Sequence, residues 1–207
     1  MKLEFGKKIY SVRESYLIFY HGLRTIKYTR IARKKGELSR QSIERLMLAV
    51  TEVNGCAACA WAHTKAALES GMSGEEIRSM LQGEVEQVPV DDMAAVMFAQ
   101  HYADTRGNPS RAAWQRVVDE YGLSKAWGIL GAIRMIMIGN AYGIAGGALS
   151  NRLRGWPDPQ SGLLYELAMI ASVSVVLPVA LLDAALSNLL DKPLIHFLPL
   201  ATTTQPA

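Results

Sequence analysis

Apolar side chains recur at three- and four-residue intervals along most of the chain, and the strict alternation of a half-buried strand is rare. The pattern predicts an all-α protein. Residues 7–34 read as one or two helices, with Gly22 as an interruption. Ser39 is placed to cap a run from Arg40 to about Val53, with Ser42-Ile43-Glu44 as an acidic first turn. Asn54-Gly55 is a break signal, and Asn54 is placed to cap the next helix, which extends to about Ser70. Gly71 ends that helix, and Ser73-Gly74-Glu75-Glu76 opens another with a cap followed by acid, as the helix dipole favours. Further helices follow from Val90 to about Asp104, from Ser110 to Tyr121, and from Gly122-Leu123-Ser124 to about Leu149.

Gly155-Trp156-Pro157-Asp158-Pro159 is the clearest boundary in the chain. Three segments follow from it: an N-terminal helical arm (1–38), a central helical domain (39–154) and an apolar C-terminal extension with a polar tail (155–207). The tail, Thr202 to Ala207, has the composition of a disordered terminus. Gly139, Gly143, Gly146 and Gly147 lie among alanines and permit close approach of another helix. In the extension, sixteen uncharged residues separate Glu166 from Asp183. A spanning helix needs about 20 apolar residues, so this run falls short unless a charge is buried. The expectation is a core or subunit-interface helix and no membrane span; the run from Ile129 to Leu149, with Arg134 and Asn140, reads as core.

Charge changes the picture at the N-terminus. Residues 1–35 carry ten Lys or Arg against Glu4 and Glu14, a net of +8, whereas the rest of the chain is net −5. A basic arm of this kind suits a polyanion or an acidic membrane surface. It is interleaved with Phe5, Tyr10, Tyr16, Phe19, Tyr20 and Tyr28, however, which favour burial. The expectation is a helix packed on an acidic body or a neighbouring subunit, with no nucleic-acid partner. The start, Met1-Lys2-Leu3-Glu4, lacks the apolar run of a signal peptide. With a single close pair of cysteines, which suits a reducing compartment, a cytoplasmic location is expected.

The candidate chemistry sits in Glu52-Val53-Asn54-Gly55-Cys56-Ala57-Ala58-Cys59-Ala60-Trp61-Ala62-His63, which holds both cysteines of the chain. On a helix starting at Cys56, the residues Cys56, Cys59 and His63 fall at i, i+3 and i+7, on one face. Two thiols and an imidazole there are the parts of a dithiol redox site. A free thiol is mostly protonated at neutral pH, but a helix N-terminus near Cys56 and His63 one turn beyond Cys59 both favour thiolate. Glu52 is a local proton acceptor, at i−4 from Cys56 if the helix continued. A metal site using Cys56, Cys59, His63 and His101 is the alternative, although no second ligand pair accompanies the cysteines. His21, His101 and His196 read as isolated structural residues, and Trp61 and the methionines as core or a hydrophobic wall around the thiols.

The stretch from Ser42 to about Leu149 resembles the carboxymuconolactone decarboxylase family, in its alkylhydroperoxidase D-like branch. Glu44, the Asn54-Gly55-Cys56-x-x-Cys59-x-x-x-His63 string and Gly71-Met72-Ser73-Gly74-Glu75-Glu76-Ile77 carry the resemblance. It implies an all-helical homo-oligomer, often a trimer or hexamer, that reduces hydroperoxides or acts as a dithiol oxidoreductase, with no cofactor and no metal. It also implies roles. Cys59 is the attacking thiolate, Cys56 resolves the sulfenic acid as a disulfide, His63 takes the proton, and Glu44 passes it onward, in the place Glu52 competes for. A helix-start acid paired with Arg40 or Arg45 is the plainer reading of either glutamate. The best-known members have a second histidine where this chain has Ala58. Partners implied are a hydroperoxide and a dithiol reductant; a cofactor-free lyase and a non-catalytic binding protein are the alternatives.

Overall fold

Serine side chains set where most of the helices begin. The computed structural model describes residues 8–197, and the expectations for Met1 to Glu4, Phe5 and the Thr202–Ala207 tail lie outside them. Seven α-helices and no strand occur among the described residues: α1 (Val12–Lys34), α2 (Arg40–Asn54), α3 (Ala57–Glu69), α4 (Gly74–Leu81), α5 (Val90–Asp104), α6 (Arg111–Leu153) and α7 (Leu163–Leu189). The all-α class is therefore as expected. The Ser39, Ser73 and Ser110 hydroxyls accept from the backbone N–H groups of Ser42, Glu76 and Ala113, as the sequence pattern predicts. Ser11 adds a full capping box with Glu14 at the start of α1.

Two predicted breaks behave differently. Gly22 does not interrupt α1; it makes room for α6, because a Cβ there would lie 2.6 Å from Ile138 Cδ1. Gly122 does break the helix. Its φ of 73° and ψ of 158° kink α6 where two helices run together, a conformation glycine adopts without steric cost.

The central layer is α6, which packs against α1, α2, α3, α5 and α7. Its core residues Ile129, Leu130, Ile133 and Met137 are at most 2% exposed. Close approach to α1 comes at Gly128 and Gly131, where an added Cβ would meet Ala32 and the carbonyl of Thr25. Of the four glycines expected to serve this purpose, only Gly143 faces another helix; Gly146 and Gly147 have nothing within 4 Å of a built Cβ. A buried ion cluster pins α2 to α4 and α5: the Arg45 guanidinium bonds Glu76 at 2.5 Å and Asp92 at 2.9 Å. Desolvation opposes the charge on Arg45, but the two carboxylates outweigh it and hold its pKa above the usual value.

The basic arm packs inward, as its aromatics require: Tyr10 and Phe19 are buried. Lys8 meets an acid of the body, Asp104, at 3.1 Å, but the buried Arg24 does not. Arg24, 1% exposed, donates to Asn188 Oδ1, Tyr20 Oη and the carbonyls of Ser187, Lys192 and Pro193. Those carbonyls lie at the C-terminal end of α7, where the helix dipole presents partial negative charge.

Of the two roles expected for the extension, core helix or subunit-interface helix, the first does not hold within this chain. α7 is not a core helix within this chain: 22% of its most apolar stretch is buried, against 67% for the corresponding stretch of α6. Both of its charges turn inward. Glu166 is fully buried on Arg152 (2.8 Å), which holds its carboxyl below the usual range, and Asp183 accepts from Tyr16 Oη. The outer face is left to Leu164, Leu167, Val175, Leu182, Leu186 and Leu189. With Glu166 buried, α7 is long and apolar enough to cross a membrane by length and composition, as is the mostly buried α6.

Candidate active site

Gly55 makes the site by ending one helix and aiming the next. It takes the left-handed conformation (φ 74°) and closes α2 with a bond to Thr51 O. Asn54 is thus the last residue of α2 and not the cap of α3. The N-cap of α3 is Cys56, whose Sγ accepts from the backbone N–H of Cys59 at 3.3 Å. The capping bond and the i, i+3 spacing bring the two sulfurs together, and they form a disulfide with the Cα atoms 5.2 Å apart.

The two cysteines are unequal. Cys56 is fully buried, whereas Cys59 retains partial exposure. Behind Cys56 the Asn54 side chain is buried too, accepting from Tyr10 Oη at 2.6 Å and donating to Met137 Sδ at 3.1 Å. Across the disulfide lies Gly143 of α6. A Cβ there would stand 2.7 Å from Cys56 Sγ and 2.8 Å from Cys59 Sγ, so only glycine lets α6 approach.

Two turns into α3, His63 Nδ1 meets Glu44 Oε2 at 2.8 Å. Glu44 is the fifth residue of α2, past its first turn, and is nearly buried. The plainer reading of Glu44, an acid paired with Arg40 or Arg45, is not what forms: Arg40 pairs with Glu69, and Arg45 with Glu76 and Asp92. Glu44 and His63 are therefore left to each other. Such a carboxylate–imidazole pair orients the ring, fixes its tautomer and stabilises the proton it gains.

A sequence-family comparison matches residues 19–103, which contain the Cys56–Cys59 pair, His63 and Glu44, with the carboxymuconolactone decarboxylase family. Over that stretch the chain is similar to the carboxymuconolactone decarboxylase family. No curated protein and no solved structure matches it. The match begins inside α1 and ends in α5, so part of the arm lies within it and all of α6 lies beyond.

The remaining candidates lie elsewhere. The Glu52 carboxylate lies 3.6–3.7 Å from where a Gly83 Cβ would stand, beside the turn after α4. His101 sits on α5, with its Nε2 accepting from the Ser110 backbone. No group of three His, Cys, Asp or Glu side chains that could hold a metal ion occurs among the described residues. Trp61 is 73% exposed and so not core, whereas Met72, Met80, Met137 and Met169 are buried. His21 and His196 are not isolated: their rings lie 6.4 Å apart.

Sequence reasoning missed what the extension contributes. A cavity of about 240 Å³ adjoins the cysteines, lined by Gly55, Ala57, Ala58, Gly143 and Gly147 on one side and by Asp158, Gln160, Ser161 and Tyr165 on the other. Tyr165 Oη ties this wall to the arm by donating to Tyr10 O at 2.9 Å. The signal available was the small-residue run Gly143 to Gly147; nothing in the sequence said which segment would face it.

Proposed function

We propose that this protein is a thiol-dependent hydroperoxide reductase or disulfide oxidoreductase of the alkylhydroperoxidase D-like type, cycling Cys56 and Cys59 between dithiol and disulfide. The observation that carries the reading is the Cys56–Cys59 disulfide formed across a helix N-cap, on the helix that also bears the Glu44-paired His63.

The unequal exposure of the cysteines supports giving each a role. Cys59, the more accessible, attacks the peroxide as thiolate: an S–O bond forms, the O–O bond breaks, and the departing alkoxide takes a proton to leave as an alcohol. His63, oriented by Glu44, takes the thiol proton and returns one to the leaving oxygen. Buried Cys56 then attacks the sulfenic sulfur, forming the S–S bond while the S–O bond breaks and water leaves. Its burial protects it from direct oxidation and leaves it within reach of Cys59. An external dithiol restores the pair by exchange and is itself oxidised to a disulfide. Each turnover moves two electrons and needs no cofactor. Ala58 supplies no second proton carrier, so the relay rests on His63 and Glu44, with Glu52 turned towards Gly83.

One stoichiometric experiment tests the reading. Reduced protein, freed of reductant and given slightly less than one equivalent of an organic hydroperoxide, is expected to consume it with a two-dalton loss of intact mass. Residual peroxide with unchanged mass would remove peroxide as the oxidant. Retained turnover of a lactone acid by a variant lacking both cysteines would favour the lyase alternative.

We further propose a cytoplasmic homo-oligomer, assembled through the outer face of α7. Leu164, Leu182 and Leu189 are 83%, 72% and 81% exposed, and a contiguous apolar face of this kind marks an interaction surface. Leu164→Asp combined with Leu182→Asp is expected to sediment at the mass of one chain while the parent sediments as a multiple. A parent that is monomeric, or that sediments only with lipid vesicles, would count against it.

A further inference from the structure

Two fully buried arginines, Arg24 and Arg134, have no carboxylate partner among the described residues, and only one of them is satisfied there. Arg24 has its five N–H groups matched by five acceptors around the end of α7. Arg134, on α6 and 2% exposed, differs. Its Nε donates to Tyr102 Oη at 2.8 Å, and its Nη1 donates to Leu194 O at 2.9 Å and weakly to His21 O at 3.5 Å. Bonds to the described residues thus use three of its five N–H groups. A buried cation without a counter-charge is costly.

Arg134 also lines a cavity. The space, about 190 Å³, lies between α1, α5 and α6, with Tyr10 and Met137 in its wall and neither cysteine in its lining. Its polar wall includes His21, whose Nδ1 is buried with no hydrogen-bond partner among the described residues. Burial first, and then the neighbouring Arg134, push the His21 pKa down to about 3, so its ring is neutral at physiological pH and can carry its proton on Nδ1. The other charges of the lining cancel: Arg106 bonds Glu14 at 2.7 Å. The net charge facing the cavity is therefore the single positive charge of Arg134. Leu17, Ile18 and Met137 supply an apolar side.

We infer that this cavity binds a short-chain aliphatic monocarboxylate, with its carboxylate on Arg134 and His21 and its tail along Leu17, Ile18 and Met137. The carboxylate supplies Arg134 with its missing counter-charge and its two remaining N–H groups with acceptors, in the planar geometry a guanidinium matches. Its second oxygen accepts from His21 Nδ1. The volume is that of about six waters, which suits an acid of four to six carbons. A dianion would bring one negative charge too many, and an alcohol none. This site is separate from the redox pair and does not depend on the thiol chemistry.

Calorimetric titration of the oxidised full-length protein with sodium hexanoate tests it. Saturable one-to-one binding is expected, with hexanol and hexylammonium weaker by about tenfold or more. Arg134→Gln removes the counter-charge and is expected to weaken hexanoate by a similar factor. Leu17→Trp, at a position 41% exposed at the cavity wall, fills the space without disturbing the buried arginine, so it carries the test if Arg134→Gln fails to fold. Hexanoate binding that does not saturate, or that survives Leu17→Trp unchanged, would overturn the assignment. So would hexanol binding as tightly as hexanoate, or glutarate or inorganic phosphate binding more tightly.

Discussion

Cys59→Ser protein is expected to lose peroxide-dependent turnover altogether, while Cys56→Ser, given one equivalent, is oxidised once and does not turn over. The two variants differ because the two thiols do. In Cys59→Ser the remaining Cys56 is fully buried at the N-cap of α3, where a peroxide cannot approach it in line. In Cys56→Ser the more exposed thiolate survives and is oxidised, but nothing nearby resolves it. The sulfenic acid then persists, adding sixteen daltons that a trapping reagent such as dimedone reports, and proceeds to sulfinic acid with excess peroxide. Fold is expected to be retained in both, because a serine hydroxyl in place of the Cys56 thiol is itself a favoured cap for α3. Circular dichroism checks this independently of activity. Unchanged peroxide consumption by Cys59→Ser would sink the thiol mechanism, and a sulfenic acid trapped in Cys59→Ser but not in Cys56→Ser would reverse the roles. Glu44→Gln sits between these extremes. It keeps a hydrogen bond to His63 but removes the negative charge that stabilises the imidazolium, so slower turnover with an intact disulfide is its expected signature, whereas Glu52→Gln is expected to be near neutral.

Much of this architecture was legible because it rests on local chemistry. Ser39, Ser73 and Ser110 cap their helices because a short hydroxyl side chain reaches the orphan N–H groups of a first turn whatever the tertiary context. The meeting of Cys56 and Cys59 follows from their i, i+3 spacing at a helix start. What depended on partners far along the chain was not legible. Gly22 looks like a helix break until Ile138, more than a hundred residues away, is seen to occupy the space. Asn54 has the chemistry of a cap, yet Tyr10 and Met137 draw its side chain into the core and leave the capping to a sulfur. The α7 run reads as a core or a subunit-interface helix by hydropathy, and composition does not choose between them because it does not reveal that Glu166 and Asp183 both face inward on Arg152 and Tyr16. Within the candidate site, Glu44 and Glu52 are equally acidic in the sequence. Eight residues, about two turns of α2, separate them, and only the position of α3 decides which one meets an imidazole.

Gly143→Ala is expected to shift the Cys56–Cys59 equilibrium toward the dithiol while leaving the reduced protein at least as stable as the parent. In a helix interior, alanine is preferred to glycine by roughly 1 kcal/mol, so α6 itself gains. The opposing term is local. The new methyl would stand 2.7 and 2.8 Å from the two sulfurs, far inside van der Waals contact. In the dithiol each Sγ turns independently about its Cα–Cβ bond and moves aside. In the disulfide both are fixed by their mutual bond and by the N-cap geometry of Cys56, so α3 must shift off α6 instead. Overpacking of this kind costs about 1–3 kcal/mol. Confined to the oxidised state, that corresponds to roughly 20–60 mV in the reduction potential, on the scale where 30 mV is about 1.4 kcal/mol. Equilibration against defined dithiothreitol ratios, read by thiol alkylation and mass, measures it. The molecule provides its own control. Gly146→Ala adds the same methyl one helical turn further on, where nothing lies within 4 Å; it is expected to stabilise α6 without moving the potential. Equal potentials for Gly143→Ala and Gly146→Ala would mean that α3 yields freely, and that the close approach of α6 does not hold the two sulfurs in place.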